Sequence, residues 1–112
     1  MKKYIGERTP DGCQVLVLDH SKPDDSYLLP PRHDLRNHSP DGFEFGYAGS
    51  GPSQLALALL ADALGNDEQA QRLYQDFKFK VIARLDGDRF ELTEEKVKQT
   101  VARLEAERGR GR

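Results

Sequence analysis

The feature that most constrains this fold is a helix-forming segment that is apolar on almost every side. Residues 52–64 carry five leucines and four alanines, which leave little room for a polar face. Pro52 suits the first helical turn, where its missing N–H would have no partner, and Gly65 suits the left-handed position that ends a helix. A helix of this kind is stable when other elements surround it. The sequence therefore predicts a central, buried helix over residues 52–64.

Two β-hairpins are predicted to flank this helix. The first joins strands over residues 2–8 and 14–19 through a Pro-Asp-Gly turn, in which proline presets φ and glycine tolerates positive φ. The second joins an alternating apolar segment over 79–85 to a strand over 89–92 through an Asp-Gly-Asp turn. Together the hairpins supply the strands of the predicted sheet.

Capping residues and apolar spacing predict two further helices. Asn66 is a good N-cap, and Gln69 stands at the capping-box position. The helix that follows has apolar residues at positions i, i+3, i+4 and i+7, which gives one buried stripe. The stripe consists of Ala70, Leu73, Tyr74 and Phe77. Thr93 is expected to cap a third helix. Its narrower stripe consists of Val97, Val101 and Leu104.

The order of these elements favours an α+β fold. It predicts an antiparallel sheet of about four strands, formed by the two hairpins and packed with three helices, of which 52–64 is the central one. A chain of 112 residues suits a single domain, which we assign to residues 1–105. Residues 106–112 are expected to form a flexible tail rich in arginine and glycine. The segment 20–38, with three prolines and many charges, is predicted to be a long irregular loop.

Composition narrows the classes of protein to which this chain can belong. Cys13 is the only cysteine, which excludes an intrachain disulfide and a zinc site built on several thiolates. No apolar run approaches the ~20 residues of a membrane-spanning helix, and no signal-peptide pattern follows Met1. We therefore expect a cytoplasmic protein that does not contact a membrane. The net charge of −2 argues against general nucleic-acid binding. Contact with nucleic acid is expected only through the arginine-rich tail.

A glycine-rich loop, residues 42–51, leads into the central helix with four glycines and three aromatic residues. Free backbone N–H groups at a helix N-terminus favour anions. The loop does not match a Walker A motif, because the Gly-Lys-Ser/Thr sequence is missing. It does not match a dinucleotide fingerprint or a nucleophile elbow either, because its glycines have the wrong spacing. The predicted ligand-binding residues here are Gly49, Ser50, Gly51 and Ser53. The alternative is that the glycines let the aromatic segment pack closely on the helix.

Two groups of side chains are candidate walls for an anion pocket at residues 49–53. Phe43, Phe45 and Tyr47 alternate, so in a strand their rings lie on one face, either as core or as a stacking surface. Tyr47 is expected to bind the ligand, because its hydroxyl needs a polar partner. The preceding loop supplies cationic and imidazole groups for an anion, unless it is simply solvated. These groups are Arg32, His33, Arg36 and His38. The spacing of the histidines does not favour a metal site.

The segment from Ser39 to Ala58 resembles the core motif of one family of small proteins. It reads SPDGFEFGYAGSGPSQLALA, against a family core of about SPDGFEWGYGGSGPxQLALA. That family occurs in bacteria, archaea and phages and is known as a domain of unknown function. The similarity extends over most of the chain, to the segment around residue 81. Phe45 and Ala48 replace the family's tryptophan and glycine, and Ala48 argues against a role that needs positive φ there. The resemblance implies membership and transfers no activity.

These observations favour a non-catalytic module that binds an anionic or nucleotide-type ligand at residues 49–53. The first alternative is a protein-interaction module or inhibitor of phage or mobile-element origin, which presents residues 20–38 and the third helix. The second is a small hydrolase or transferase, with His33, His38 or Glu44 as base and Ser50 as nucleophile. We assign no catalytic residue, no metal and no cofactor. The expected partners are a phosphate-bearing small ligand, a protein or a second copy of this chain.

Overall fold

The computed structural model describes residues 1–22 and 25–110, which form one sheet and three α-helices around a shared core. The strands are β1 (Lys2–Thr9), β2 (Gly12–Asp19), β3 (Tyr27–Leu28) and β4 (Arg89–Thr93). The helices are α1 (Ser50–Leu64), α2 (Asp67–Lys80) and α3 (Glu94–Arg110), and a 3₁₀ helix (Ile82–Arg84) follows α2. This arrangement confirms the predicted α+β fold with a four-stranded antiparallel sheet. In the described ranges, no helix is both long and apolar enough to cross a membrane.

The sheet has the order β3-β2-β1-β4, and every neighbouring pair is antiparallel. The predicted first hairpin, β1–β2, is confirmed, with Gly12 at a φ of +118° where the turn rejoins the strand. Alternate residues of the strands are buried against the helices. They include Tyr4, Val15, Val17 and Phe90. On the opposite face, the register aligns Ile5, Leu16 and Leu28 in one row across three strands.

The predicted central helix is confirmed as α1. Of its residues, 51–61 and Ala63 are all buried. Gly65 ends the helix in the left-handed conformation, with a φ of 61°, and its N–H donates to the carbonyl oxygen of Ala61 at 3.1 Å. The helix begins two residues before Pro52, with Gly49 as the N-cap.

The predicted caps of α2 and α3 are also confirmed. The side chain of Asn66 accepts a hydrogen bond from the N–H of Gln69 at 3.0 Å, and the Thr93 hydroxyl accepts one from the N–H of Lys96 at 3.1 Å. Both predicted apolar stripes are buried. Helix α3 extends to Arg110, so residues 106–110, which we had assigned to the tail, are helical. Residues 111 and 112 lie outside the described ranges.

The predicted second hairpin is wrong. Helix α2 continues through Phe79 and Lys80, and residues 82–84 form the 3₁₀ helix instead of a strand. Ile82 is fully buried and Phe79 is 55% exposed, which reverses the faces that the alternating pattern assigned to them. Strand β4 does form, but it pairs with β1. The sheet still has four strands, because β3 forms inside the segment predicted to be an irregular loop.

Candidate functional site

The glycines of the 42–51 loop allow close packing around the start of α1. A Cβ atom on Gly51 would lie 2.7 Å from the Cβ atom of Glu44, closer than real Cβ atoms approach their neighbours. Gly46 has a φ of +89°, which favours glycine, and its N–H donates to the carbonyl oxygen of Ile82 at 3.0 Å. These two glycines therefore have the structural role that we considered as the alternative interpretation of the loop.

The three aromatic residues of the loop do not share one face. Phe43 and Phe45 are 8% and 0% exposed, whereas Tyr47 is 52% exposed. The prediction of one aromatic face is wrong, because Gly46 turns the chain at positive φ between the second ring and the third. The ring of Phe45 packs edge-on against Phe90, with 4.9 Å between their centroids. Two rings are therefore core, and Tyr47 remains at the surface.

The first turn of α1 makes hydrogen bonds within itself. The carbonyl oxygen of Gly49 accepts hydrogen bonds from the N–H and the Oγ of Ser53, each at 3.0 Å. Gly51 and Ser53 are buried, and Pro52 has no N–H. Ser50 is exposed and Gly49 is half-buried. These two residues form the accessible part of the predicted anion site.

A buried glutamine, Gln54, joins the preceding loop to α1. Its Nε2 donates to the carbonyl oxygens of Pro31 and Arg36 at 2.5 and 3.0 Å. Its Oε1 accepts from the N–H groups of His38 and Ser39 at 2.8 and 3.3 Å. The amide thus uses both donors and both acceptor positions. Sequence reasoning missed this residue. The signal that could have identified it was a polar amide directly before an apolar helical run.

Arg32 pairs with two carboxylates at the other end of this loop. Its guanidinium donates to Asp34 and, in a bidentate pair, to Asp67 in the first turn of α2, over distances of 2.7 to 3.1 Å. These hydrogen bonds raise the pKa of Arg32 and hold the pKa values of both carboxyl groups below their usual range. Arg32 therefore already has anionic partners inside the protein.

The other three predicted loop residues differ in their surroundings. His38 is half-buried, with its Nε2 2.7 Å from the Oη of Tyr74 on α2. His33 places its Nε2 3.0 Å from a carbonyl oxygen of the same loop. Arg36 is exposed, and its guanidinium makes no ion pair with any residue of ranges 1–22 and 25–110. The structure thus brings the loop and the first turn of α1 together. Of the two arginines predicted to bind the ligand, Arg36 is the exposed one.

The catalytic alternative depends on Ser50 as the nucleophile and on His33, His38 or Glu44 as the base. The hydroxyl of Ser50 makes no hydrogen bond to a histidine or carboxylate within the described residues, and Glu44 instead accepts from Arg8 at 3.1 Å. In that same part of the chain, no group of three or more His, Cys, Asp or Glu side chains is placed to hold a metal ion. Burial, with a smaller contribution from Glu44, raises the pKa of the Cys13 thiol to about 11.

A partly buried cluster of side chains around the carboxylate of Asp62 lies between α1 and the sheet. Asp62, 13% exposed, accepts hydrogen bonds from the Oη of Tyr4 at 2.6 Å, from the Nζ of Lys2 at 3.1 Å, and from the hydroxyl of Tyr27. Burial is the main cause of the raised pKa values of both tyrosines, and the hydrogen bond to the carboxylate adds to it. This cluster connects β1 and β3 to α1.

A groove rich in cationic side chains lies between the end of α2, the 3₁₀ helix and α3. Its volume is about 260 Å³. Four of its side chains are cationic and one is acidic. The lining consists of Lys80, Val81, Arg84, Lys96, Thr100, Arg103, Leu104 and Glu107. We call this surface the basic groove.

Three of the four cations in the basic groove have no anionic partner among residues 1–22 and 25–110. Arg84, Lys96 and Arg103 form no ion pair with any carboxylate of the described residues, and Lys80 lies 3.8 Å from Glu107. Cations that share a small groove repel one another. A bound anion would relieve that repulsion, so the groove has the electrostatic character of an anion site.

Sequence reasoning missed the basic groove for a specific reason. Lys80 and Arg84 belonged to the segment that was wrongly predicted as a strand, which left their position relative to α3 undefined. A usable signal was nevertheless present on α3 itself. Lys96, Thr100 and Arg103 are spaced i, i+4 and i+7, which places them on one face of the helix.

A second depression, of about 240 Å³, adjoins the basic groove. The two share Lys80, Leu104 and Glu107. The ring of Phe79 lines the second depression and is 55% exposed. The Nζ of Lys78 lies 4.3 Å from the centroid of that ring, a cation–π contact. An exposed aromatic surface is therefore continuous with the cationic one.

Comparison with known proteins places the chain in a family without assigning it an activity. No curated protein and no solved structure shows significant similarity to it. One family model matches residues 4–103. That range contains the whole sheet apart from its first residues, the glycine-rich loop, α1, α2 and most of the lining of the basic groove. The chain therefore belongs to the family described as "Family of unknown function (DUF6166)".

Proposed function

We propose that this protein is a non-catalytic binding module and that it binds a phosphate-bearing anion in the basic groove. The observation that carries the proposal is the convergence of Arg84, Lys96 and Arg103 without ion pairs among the described residues. The arginine guanidinium offers parallel donors that match phosphate oxygens, and lysine offers a compact positive charge. An anionic or nucleotide-type ligand, as expected from the sequence, suits this chemistry.

The composition of the groove supports binding over catalysis. Besides the cations, the lining contains two apolar residues, one threonine and one carboxylate. That carboxylate, Glu107, lies next to Lys80, and the hydroxyl of Thr100 donates to a backbone carbonyl of α3. Nucleophilic catalysis needs a nucleophile activated by an adjacent base. A small hydrolase or transferase stays an untested alternative.

The glycine-rich turn at 49–53 stays the second location for the same ligand. Its accessible residues are Gly49 and Ser50, and the nearby loop offers Arg36 as an exposed cation. We favour the basic groove because three of its four cations have no carboxylate partner in the described chain. Arg32, the first cation predicted for the turn, is already bound to Asp34 and Asp67.

Chemical-shift mapping of backbone amides with tripolyphosphate distinguishes the two locations. We expect saturable shifts for residues 80–84 and 96–104, and their loss in the double variant Lys96→Ala/Arg103→Ala. Arg36→Ala is the matched control, since it removes another exposed arginine that has no ion pair in the described chain, and it should leave the shifts unchanged. Shifts confined to residues 49–53, lost in Arg36→Ala, would place the ligand at the glycine-rich turn. No shift at millimolar ligand would contradict the proposal.

A second candidate function is protein interaction, favoured by the outer face of the sheet. Leu28, 59% exposed, lies beside Leu16, 37% exposed, and both align with Ile5. Leu28 belongs to the 20–38 segment that we expected to contact a partner protein. Sedimentation equilibrium of the wild type and Leu28→Lys tests self-association: a dimer that the substitution dissociates supports it, and a monomer at all concentrations contradicts it.

The phage or mobile-element origin and the cytoplasmic location stay predictions.

A further inference from the structure

Phe79 differs from the other phenylalanines of the chain in its exposure. The other four are at most 8% exposed, and Phe79 is 55% exposed. Exposing a phenylalanine ring to water forgoes the hydrophobic stabilisation that burial would provide. Phe77, two residues earlier on α2, is buried in the core, so the helix directs the two rings to different surroundings. More than half of the surface of Phe79 is therefore open to contact with a ligand.

The position of this ring relative to the basic groove suggests what it contacts. The depression that Phe79 lines shares Lys80, Leu104 and Glu107 with the groove. A ligand that spans both depressions would meet an aromatic ring at one end. At the other end it would meet Arg84, Lys96 and Arg103, which form no ion pair within the part of the chain that the structure describes. Such a ligand needs a planar group and a phosphate in close succession. A nucleotide unit has both.

The charged groups around Phe79 are covered or already paired. The Nζ of Lys78 lies 4.3 Å from the ring centroid. Arg108, which belongs to the arginine-rich end of the chain, lines the same depression, where it is 3.0 Å from Asp76. Lys78 is itself only 8% exposed, so the cations open to a strand of nucleotides are those of the basic groove, next to the ring. Proteins that bind single strands combine cations along the backbone with aromatic rings on which bases stack.

We infer that the phosphate-bearing ligand is a single-stranded nucleic acid, with its backbone in the basic groove and a base stacked on Phe79. The inference rests on the proposed function of the groove and adds the class of ligand. Bases of a duplex are already stacked on their neighbours and cannot also stack on a side chain. A duplex should bind more weakly than a single strand. The contact does not depend on hydrogen bonds to base edges, so sequence preference should be weak.

Fluorescence anisotropy of a labelled twelve-nucleotide oligothymidine tests the inference. Stacking of one base contributes about 1–3 kcal/mol, so Phe79→Ala should weaken binding about 5- to 150-fold. Phe79→Tyr, which keeps the ring, should bind like the wild type. Tyr47→Ala is the comparison variant, because it removes an aromatic side chain of similar exposure, 52%, that lines neither depression and lies beside Gly49. A larger loss of binding in Tyr47→Ala than in Phe79→Ala would move the stacked base to the glycine-rich loop and overturn the inference.

A tryptophan at position 79 reports the stacking directly. The chain has no tryptophan, so Phe79→Trp introduces a single indole. We expect the oligothymidine to quench its fluorescence with the same midpoint as the anisotropy curve, and tripolyphosphate to leave it almost unchanged. An indole that stays unquenched at saturating oligothymidine would contradict the stacked arrangement, even where binding occurs.

The outcomes separate failure of this inference from failure of the proposed function. If tripolyphosphate binds and Phe79→Ala leaves oligothymidine binding unchanged, the inference is wrong and the groove remains an anion site. If a duplex of equal length binds as tightly as the single strand, the inference is likewise wrong. If neither tripolyphosphate nor oligothymidine binds, the proposed function fails and the inference fails with it.

Discussion

At the scale of single residues, Gln54 determines how the 31–39 loop lies on the helical core. Four backbone groups of that loop bind to one amide that has no contact with solvent. The loop has little other regular structure, so its backbone groups depend on this side chain for partners. The amide could be noticed in the sequence, but its four partners lie 15 to 23 residues away and no local pattern identifies them.

Replacing this glutamine should therefore destabilise the protein strongly. We expect Gln54→Ala to lower the free energy of unfolding by about 2–4 kcal/mol, because it leaves partly buried N–H and C=O groups unpaired and opens a cavity. Gln99→Ala is the control, since Gln99 is an exposed helical glutamine with one 3.4 Å hydrogen bond, and it should cost less than about 0.5 kcal/mol. Urea unfolding followed by circular dichroism measures both. Equal effects would contradict the anchoring role of Gln54.

The thiol of Cys13 should react slowly in the folded protein. Its pKa of about 11 means that the thiolate, the reactive form, is roughly one part in a thousand at pH 8. Because the pKa is raised, the rate of iodoacetamide labelling should increase about tenfold per pH unit from pH 8 until it levels off near pH 11. Stopped time points analysed by mass spectrometry give the rate. A plateau near pH 9, as in the unfolded chain, would show that the thiol is not perturbed by burial.

At the scale of elements, the segment after residue 78 shows where the spacing of apolar residues fails to predict secondary structure. The alternation of Phe79, Val81, Ala83 and Leu85 fits a strand, yet Ile82 between them is equally apolar. In the structure the chain stays helical to Lys80, and Ile82 is buried in the 3₁₀ helix, where its carbonyl accepts from Gly46 of the glycine-rich loop. Burial of Ile82 against a segment distant in sequence outweighs the local pattern. By contrast, the caps of α2 and α3 depend on neighbours three residues away and are predictable.

Two alanine substitutions distinguish the helical arrangement from a strand. Ile82→Ala should cost about 2–5 kcal/mol of unfolding free energy, since Ile82 is fully buried. Phe79→Ala should cost less than about 0.5 kcal/mol, since its ring is mostly exposed. A strand with Phe79 facing the core requires the opposite ranking. Chemical denaturation of both variants against the wild type settles which residue is buried.

At the scale of the whole molecule, the distribution of charge matters more than its sum. The net charge of −2 argued against binding a polyanion, but Arg84, Lys96 and Arg103, which form no ion pair within the described residues, meet in one groove. That groove combines the end of α2, the 3₁₀ helix and α3. Its existence follows from how these elements pack, so the sequence predicted the helices but not the surface between them. Strand β4 likewise formed as predicted and paired with a strand more than 80 residues away.

The most direct test of the account is isothermal titration of tripolyphosphate into the wild type and Lys96→Ala/Arg103→Ala at low ionic strength. Each charge-assisted contact contributes about 1.5–3 kcal/mol, so loss of two cations should weaken binding by at least about 150-fold. Arg36→Ala should bind like the wild type, and added salt should weaken every interaction that remains. An unchanged Kd in the double variant, or a loss of binding in Arg36→Ala instead, would contradict the assignment of the basic groove as the ligand site.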